Sequence, residues 1–409
     1  MPTDTQLTQL NIFDSLQQCR GTPSLAVEQM VQFFRHQQRP IELFEALKMR
    51  VRYQLGLPLI APEDEAKLVD DIDRQLETGL LDACREVGEM MIALGRIREG
   101  WMYLRPTGDV ARAQELLLAV ESTDENADEL IQVLLHEGVD VGRGFQLLIE
   151  RNGTCNSITA YEQQVAVRGK RDRQAAARKL LDHFYGELRD AVRGDISRRE
   201  APAGPAETLA EMLQKRTWLV TEGGYHLDTT HLASVIRIAR VLDDKGSLQR
   251  AWELTQYGRR LNHQFQYPGE EPFVDFYPSH AAYFNILLGR DIEIGLDLFH
   301  RKASAADPQK AGTAPMEVYV DLLDRCGRPA AAIDAALKLV PESVPPQRIV
   351  PLLIEMADRC GHYQPILDFC RQREDILGYV AASDAAEKYP QKGVQLLPFA
   401  PLRGDGVGG

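Results

Sequence analysis

Apolar positions along this chain recur with the three-to-four-residue period of helices, and the two-residue alternation of strands is nearly absent. Val27 to Phe34 and Leu43 to Leu55 predict one amphipathic pair, interrupted at Gln38-Arg39-Pro40. Leu68 to Leu94 with Arg96 to Leu104 predict a second, turning at Gly95, and Asn126 to His136 with Val141 to Ile149 a third around Gly138. Four more pairs follow: Thr230 to Leu242 with Leu248 to Leu261 at Gly246, and Ser279 to Leu288 with Ile292 to His300 at Gly289. Met316 to Arg325 with Ala330 to Val340 turn at Gly327, and Ile349 to Arg359 with Tyr363 to Arg373 at Gly361. Glycine suits these places because a helix end that doubles back commonly needs a residue in the left-handed region. The expected fold class is all-α, built of helical hairpins.

Small residues keep register with the turns. Gly88, Ala239 and Ala282 stand seven positions before a turn glycine, and Gly100, Ala251 and Ala332 stand five after one. Small side chains at both sites let paired helices approach closely. The clearest repeat is Asp324-Arg325-Cys326-Gly327, which returns 34 residues later as Asp358-Arg359-Cys360-Gly361. That is the period of a tetratricopeptide unit. On these residues the chain resembles the tetratricopeptide-repeat (TPR) superfamily over about two thirds of its length. The match is degenerate: successive turn glycines stand 43, 38 and 34 residues apart, and Val320 and Ile354 replace the small residue before the turn. The resemblance implies a TPR-like α-solenoid in two lobes, whose concave groove holds a peptide or a partner helix. A non-enzymatic protein-interaction scaffold is the function it implies.

Charge divides the chain further. Lys and Arg number 14 against 26 Asp and Glu in residues 1–150, but 11 against 7 in residues 151–200. We expect an acidic helical-hairpin lobe over 1–152, a basic helical segment over 153–199, and a linker at 200–206 (Glu200-Ala201-Pro202-Ala203-Gly204-Pro205-Ala206). A TPR-like array over 207–386 and a disordered Pro- and Gly-containing tail over 387–409 complete the division. A net charge of −13 repels phosphate backbones and argues against a nucleic-acid partner. Six cysteines without a CxxC pair predict reduced thiols. No secretory signal and no long apolar run is evident, so a cytoplasmic chain without a membrane partner is expected.

If the first helix of each hairpin lines the groove, the partner-binding residues are Arg237 and Arg240, then His280 and Tyr283, then Glu317 and Asp321. Two arginines one turn apart suit a carboxylate or phosphate, although the Lys and Asn pattern of the family's carboxylate clamp is not reproduced. The aromatic loop from His263 to Pro278 is expected as a rim. The contrasting reading is a metal-dependent hydrolase or oxidoreductase using His226, Asp228, His231 and His280, because imidazoles with a carboxylate suit zinc or iron. Asp228-Thr229-Thr230 also reads as a helix N-cap. Cys155 has no histidine near it in sequence, and the commonest phosphate-binding, dinucleotide-binding, HExxH and GxSxG motifs do not occur. No cofactor is expected.

Overall fold

The structure, a computed structural model, describes residues 9–63, 67–220 and 224–388. Among these, 74% are helical and none is in a strand, so the fold is all-α, of packed helix pairs. Among the described residues no helix is long and apolar enough to cross a membrane. The tail expected from residue 387 lies, from 389 onward, outside the described residues; residues 387 and 388 end a helix, Ile376–Lys388.

The chain divides into two compact units, Met1–Lys179 and Leu180–Gly409. In the first, Pro23–His36, Pro40–Gln54, Asp70–Ala93 and Ile97–Leu104 pack each against the next. Val31, Leu43, Leu47, Val87 and Met91 form one core, and Ile97, Leu104, Leu117, Leu130 and Val133 form another. The close approach at Gly88 and Gly100 is real. A Cβ on Gly100 would lie 2.6 Å from Ile92 Cγ1 and 2.8 Å from the carbonyl oxygen of Gly88. Two segments, Gln132–His136 and Tyr161–Val165, widen into π-helical turns. Gly153 (φ 72°) kinks helix Val141–Ala160, where Ser157 Oγ donates to its carbonyl at 2.8 Å.

The turn glycines act as expected at five of the six positions. Gly95, Gly138, Gly289, Gly327 and Gly361 all have φ between 73° and 82°. At Gly95 the pattern is a full Schellman close, with Arg96 N–H donating to Met91 O and Gly95 N–H to Ile92 O, both at 2.9 Å. Gly246 is the correction. It lies inside helix Lys245–Gly258, whose start is set by Asp244, which accepts from Ser247 N–H at 2.9 Å. The chain therefore turns one step earlier, under an N-cap rather than a glycine.

In the second unit, residues 200–206 are not a free strand of chain. Arg193 Nη2 donates to the carbonyls of Gly204 (3.3 Å), Pro205 (2.9 Å) and Glu207 (3.1 Å). Arg216 pairs with both Glu200 and Glu207. Helix pairs Lys245–Gly258 with Phe276–Leu287, Ala314–Arg325 with Pro329–Leu339, and Gln364–Gln372 with Ile376–Lys388 follow. The last helix buries Gly378 and Ala382 and leaves Ile376, Leu377 and Val380 exposed.

Candidate functional site

Helix Thr229–Ile238 starts because the Asp228 carboxylate accepts from Thr230 N–H at 2.8 Å and from His231 N–H at 3.1 Å. Its hydrogen bond from the Thr230 hydroxyl, foremost, holds that carboxyl below the usual range. His226 instead turns to Tyr257, with Nδ1 2.9 Å from the hydroxyl, while Nε2 lies 3.5 Å from Asp195. Burial is the largest influence and lowers the His226 pKa despite the opposing Asp195 charge. Asp228 is thus occupied as a cap, and His226 and His280 have separate partners. Among the described residues no three His, Cys, Asp or Glu side chains come together as a metal would require. The ligand set His226, Asp228, His231 is not assembled.

Arg240, Tyr283 and Asp321 are brought together. After Ile238 the helix tightens into the 3₁₀ turn Ala239–Val241, which leaves carbonyls without helical partners. Arg325 supplies them. Its Nη1 donates to Arg240 O and to the Tyr283 hydroxyl, both at 2.7 Å, and its Nη2 donates to Leu242 O. Tyr283 donates in turn to Asp321 Oδ2 at 3.1 Å. Burial, and next the Asp321 charge, push the Tyr283 hydroxyl pKa far up, so it stays protonated. Arg240 lays its guanidinium over the Phe273 ring, 4.7 Å from the centroid.

His280 lies one layer below. Its ring stacks on Phe273 at 4.1 Å and tilts against Phe276 at 4.2 Å. Nδ1 is 2.8 Å from the Phe276 carbonyl, which can only accept, so Nδ1 carries the proton and Nε2 holds the lone pair. Nε2 is buried without a partner. Burial, followed by the Arg240 charge, drives the imidazole pKa down to about 3.

His280 and Tyr283 are 1% and 2% exposed and line no groove. The reason is the helix that carries them. Phe276–Leu287 is apolar on nearly every face and buries eight of its twelve residues, so it has no outward side to offer. The loop before it closes inward as well, through Phe273, which is 5% exposed. Arg237 and Arg240 are half-buried, and Asp321 keeps about half of its side chain exposed. Arg325 was visible in the sequence as the arginine of Asp324-Arg325-Cys326-Gly327, but its reach to a helix more than 80 residues away was not. Arg359, in the second copy of that pattern, likewise reaches back, to Asp324 at 2.8 Å.

Through Arg325, Tyr283 and Asp321 this cluster binds the hairpins together. Replacing Arg325 with methionine strands the carbonyl of Leu242 and leaves that of Arg240 with the Tyr283 hydroxyl alone, at 3.3 Å. Denaturant unfolding should show the C-terminal unit weakened by roughly 2 kcal/mol, whereas Arg301→Met, at an exposed pair on Ile292–Ala305, should leave the midpoint where it was.

An open groove lies elsewhere, between helices Pro329–Leu339 and Gln364–Gln372, with a volume of about 660 Å³. Leu337, Pro365 and Phe369 contribute its apolar lining, and Asp334, Lys338, His362 and Asp368 its polar lining. His362 Nε2 is 2.9 Å from Asp334, and Asp368 accepts from Gln364 at 2.9 Å. Pro329–Leu339 is the second helix of its pair and Gln364–Gln372 the first of its own, whereas the groove expected from tetratricopeptide geometry is lined by first helices alone. Compared with protein-family models, curated proteins and solved structures, the chain matches none.

Proposed function

We propose that this chain is a non-enzymatic interaction scaffold, a TPR-like α-solenoid that holds a peptide or a partner helix between neighbouring hairpins. The observation that carries the reading is the groove between Pro329–Leu339 and Gln364–Gln372, open to solvent and polar beside an apolar patch. A partner anchors an apolar side chain against Leu337, Pro365 and Phe369 and finds polar contacts at Asp334, Lys338 and Asp368. The 34-residue return of Asp-Arg-Cys-Gly and the left-handed turn glycines support the solenoid.

The test places a photoreactive side chain at Gln364, in the groove, and for comparison at Ile294, exposed on helix Ile292–Ala305. After crosslinking in the source cells, position 364 should capture one protein that position 294 does not. A peptide of that protein should then bind wild type and lose at least tenfold in affinity to an Asp334→Arg, Asp368→Arg double variant. Equal yields from the two positions would sink the reading.

A further inference from the structure

Within the C-terminal unit, inward-reaching arginines are anchored. Arg193 and Arg373 each hold three carbonyls, Arg216 holds two carboxylates, and Arg325 holds two carbonyls and a hydroxyl. Arg240 is the exception. Its Nε donates to Arg237 O at 3.2 Å, but no carboxylate lies within ion-pair distance, and its two terminal nitrogens carry no hydrogen bond. Arg240 is half-buried, and its terminal nitrogens keep some contact with solvent. The nearest acid, Asp321, turns to the Tyr283 hydroxyl and to Arg325. A half-buried guanidinium whose nearest acid is engaged elsewhere is held at some cost.

We propose that the free edge of Arg240 is a binding site for a carboxylate. One face of the guanidinium is covered by Phe273, so a ligand meets the group edge-on, in its plane. A planar carboxylate fits that edge with two parallel hydrogen bonds. One unpaired positive charge calls for one negative charge, which a carboxylate brings. Asp321 opposes a second, because its own carboxylate already stands across the Tyr283 hydroxyl. The Arg237 charge, one helical turn back, adds to the attraction. Burial lowers the Arg240 pKa, and a bound anion would reverse that shift. The site is independent of the groove between Pro329–Leu339 and Gln364–Gln372, so either can fail without the other.

The probe is sodium acetate against sodium chloride at matched ionic strength and neutral pH, read as the thermal midpoint of the full chain. Acetate should raise the wild-type midpoint by a few degrees and saturate. Arg240→Met, which removes a charge from an apolar setting and should remain folded by circular dichroism, should lose the rise. Arg240→Lys, which keeps the charge but not the fork, should lose most of it. The wild type alone gives a second readout, because acetate should shift the guanidinium nitrogen resonances of Arg240. An equal rise in Arg240→Met, no shift of those resonances, or a larger response to inorganic phosphate than to acetate would overturn the assignment.

Discussion

Alanine at position 100 is expected to weaken the N-terminal unit by roughly 2–3 kcal/mol. Helix propensity alone says the opposite, since alanine outranks glycine in a helix by about 1 kcal/mol. Packing wins because of what the new Cβ would meet: Ile92 Cγ1 at 2.6 Å, the Gly88 carbonyl at 2.8 Å and the Ile92 amide nitrogen at 3.0 Å. Two of those three atoms are backbone and cannot rotate away, so helices Asp70–Ala93 and Ile97–Leu104 must separate. Gly186 is the matching control. It sits inside helix Lys170–Arg199 with nothing within 4 Å of a Cβ, so Gly186→Ala should stabilise, by up to about 1 kcal/mol. Urea unfolding followed by Trp101, with Trp218 and Trp252 replaced by phenylalanine, reads the first change, and circular dichroism reads the second. Two glycine-to-alanine changes of the same sign would refute the account.

The second large effect is acid sensitivity carried by His280. The folded pKa lies near 3, below the ordinary value of 6.5, so below that value the unfolded chain takes up the proton first. Stability is therefore full above 6.5 and drains away as the pH falls towards 3, at up to about 1.4 kcal/mol per pH unit. His226 pulls in the same direction. His280→Phe keeps a ring between Phe273 and Phe276 and removes the titration. Other groups titrate equally in both proteins and cancel in the difference. The stability of wild type minus that of His280→Phe should fall steadily between about pH 7 and about pH 4.5. A difference that stays level would mean that the imidazole takes up its proton in the folded state as readily as in water.

Much of the helix pairing was legible, and where it was not the cause is local. Glycines at 95, 289 and 327 close their helices by a pattern that tolerates few other residues, so their spacing reads directly as hairpins. Helix Ile376–Lys388 went unread because Glu374 (φ 56°) takes the left-handed position that a glycine marks elsewhere. Gln38 (φ 50°) does the same before Pro40, where the proline alone betrays the break. The π-helical turns have no sequence signature of their own. At the cluster, Arg240, in the 3₁₀ turn after its helix, comes together with Tyr283 and Asp321 on two later helices. Their depth is not legible, because a helical register assigns faces but not layers. The aromatic-rich run Phe276-Tyr277 through Phe284, polar only at Ser279 and His280, is the sign of a central helix.

Arg325 and Arg359 occupy the same place in a repeated tetrapeptide but grip different things. Arg359 holds a carboxylate, Asp324, and so depends on what residue its neighbour carries. Arg325 holds the carbonyls of Arg240 and Leu242, groups that every sequence has. A tie to main chain survives substitution of its target, so mutational drift in Arg240 or Leu242 does not cut it. The carboxylate tie of Arg359, by contrast, is cut by any change at Asp324 that removes its charge.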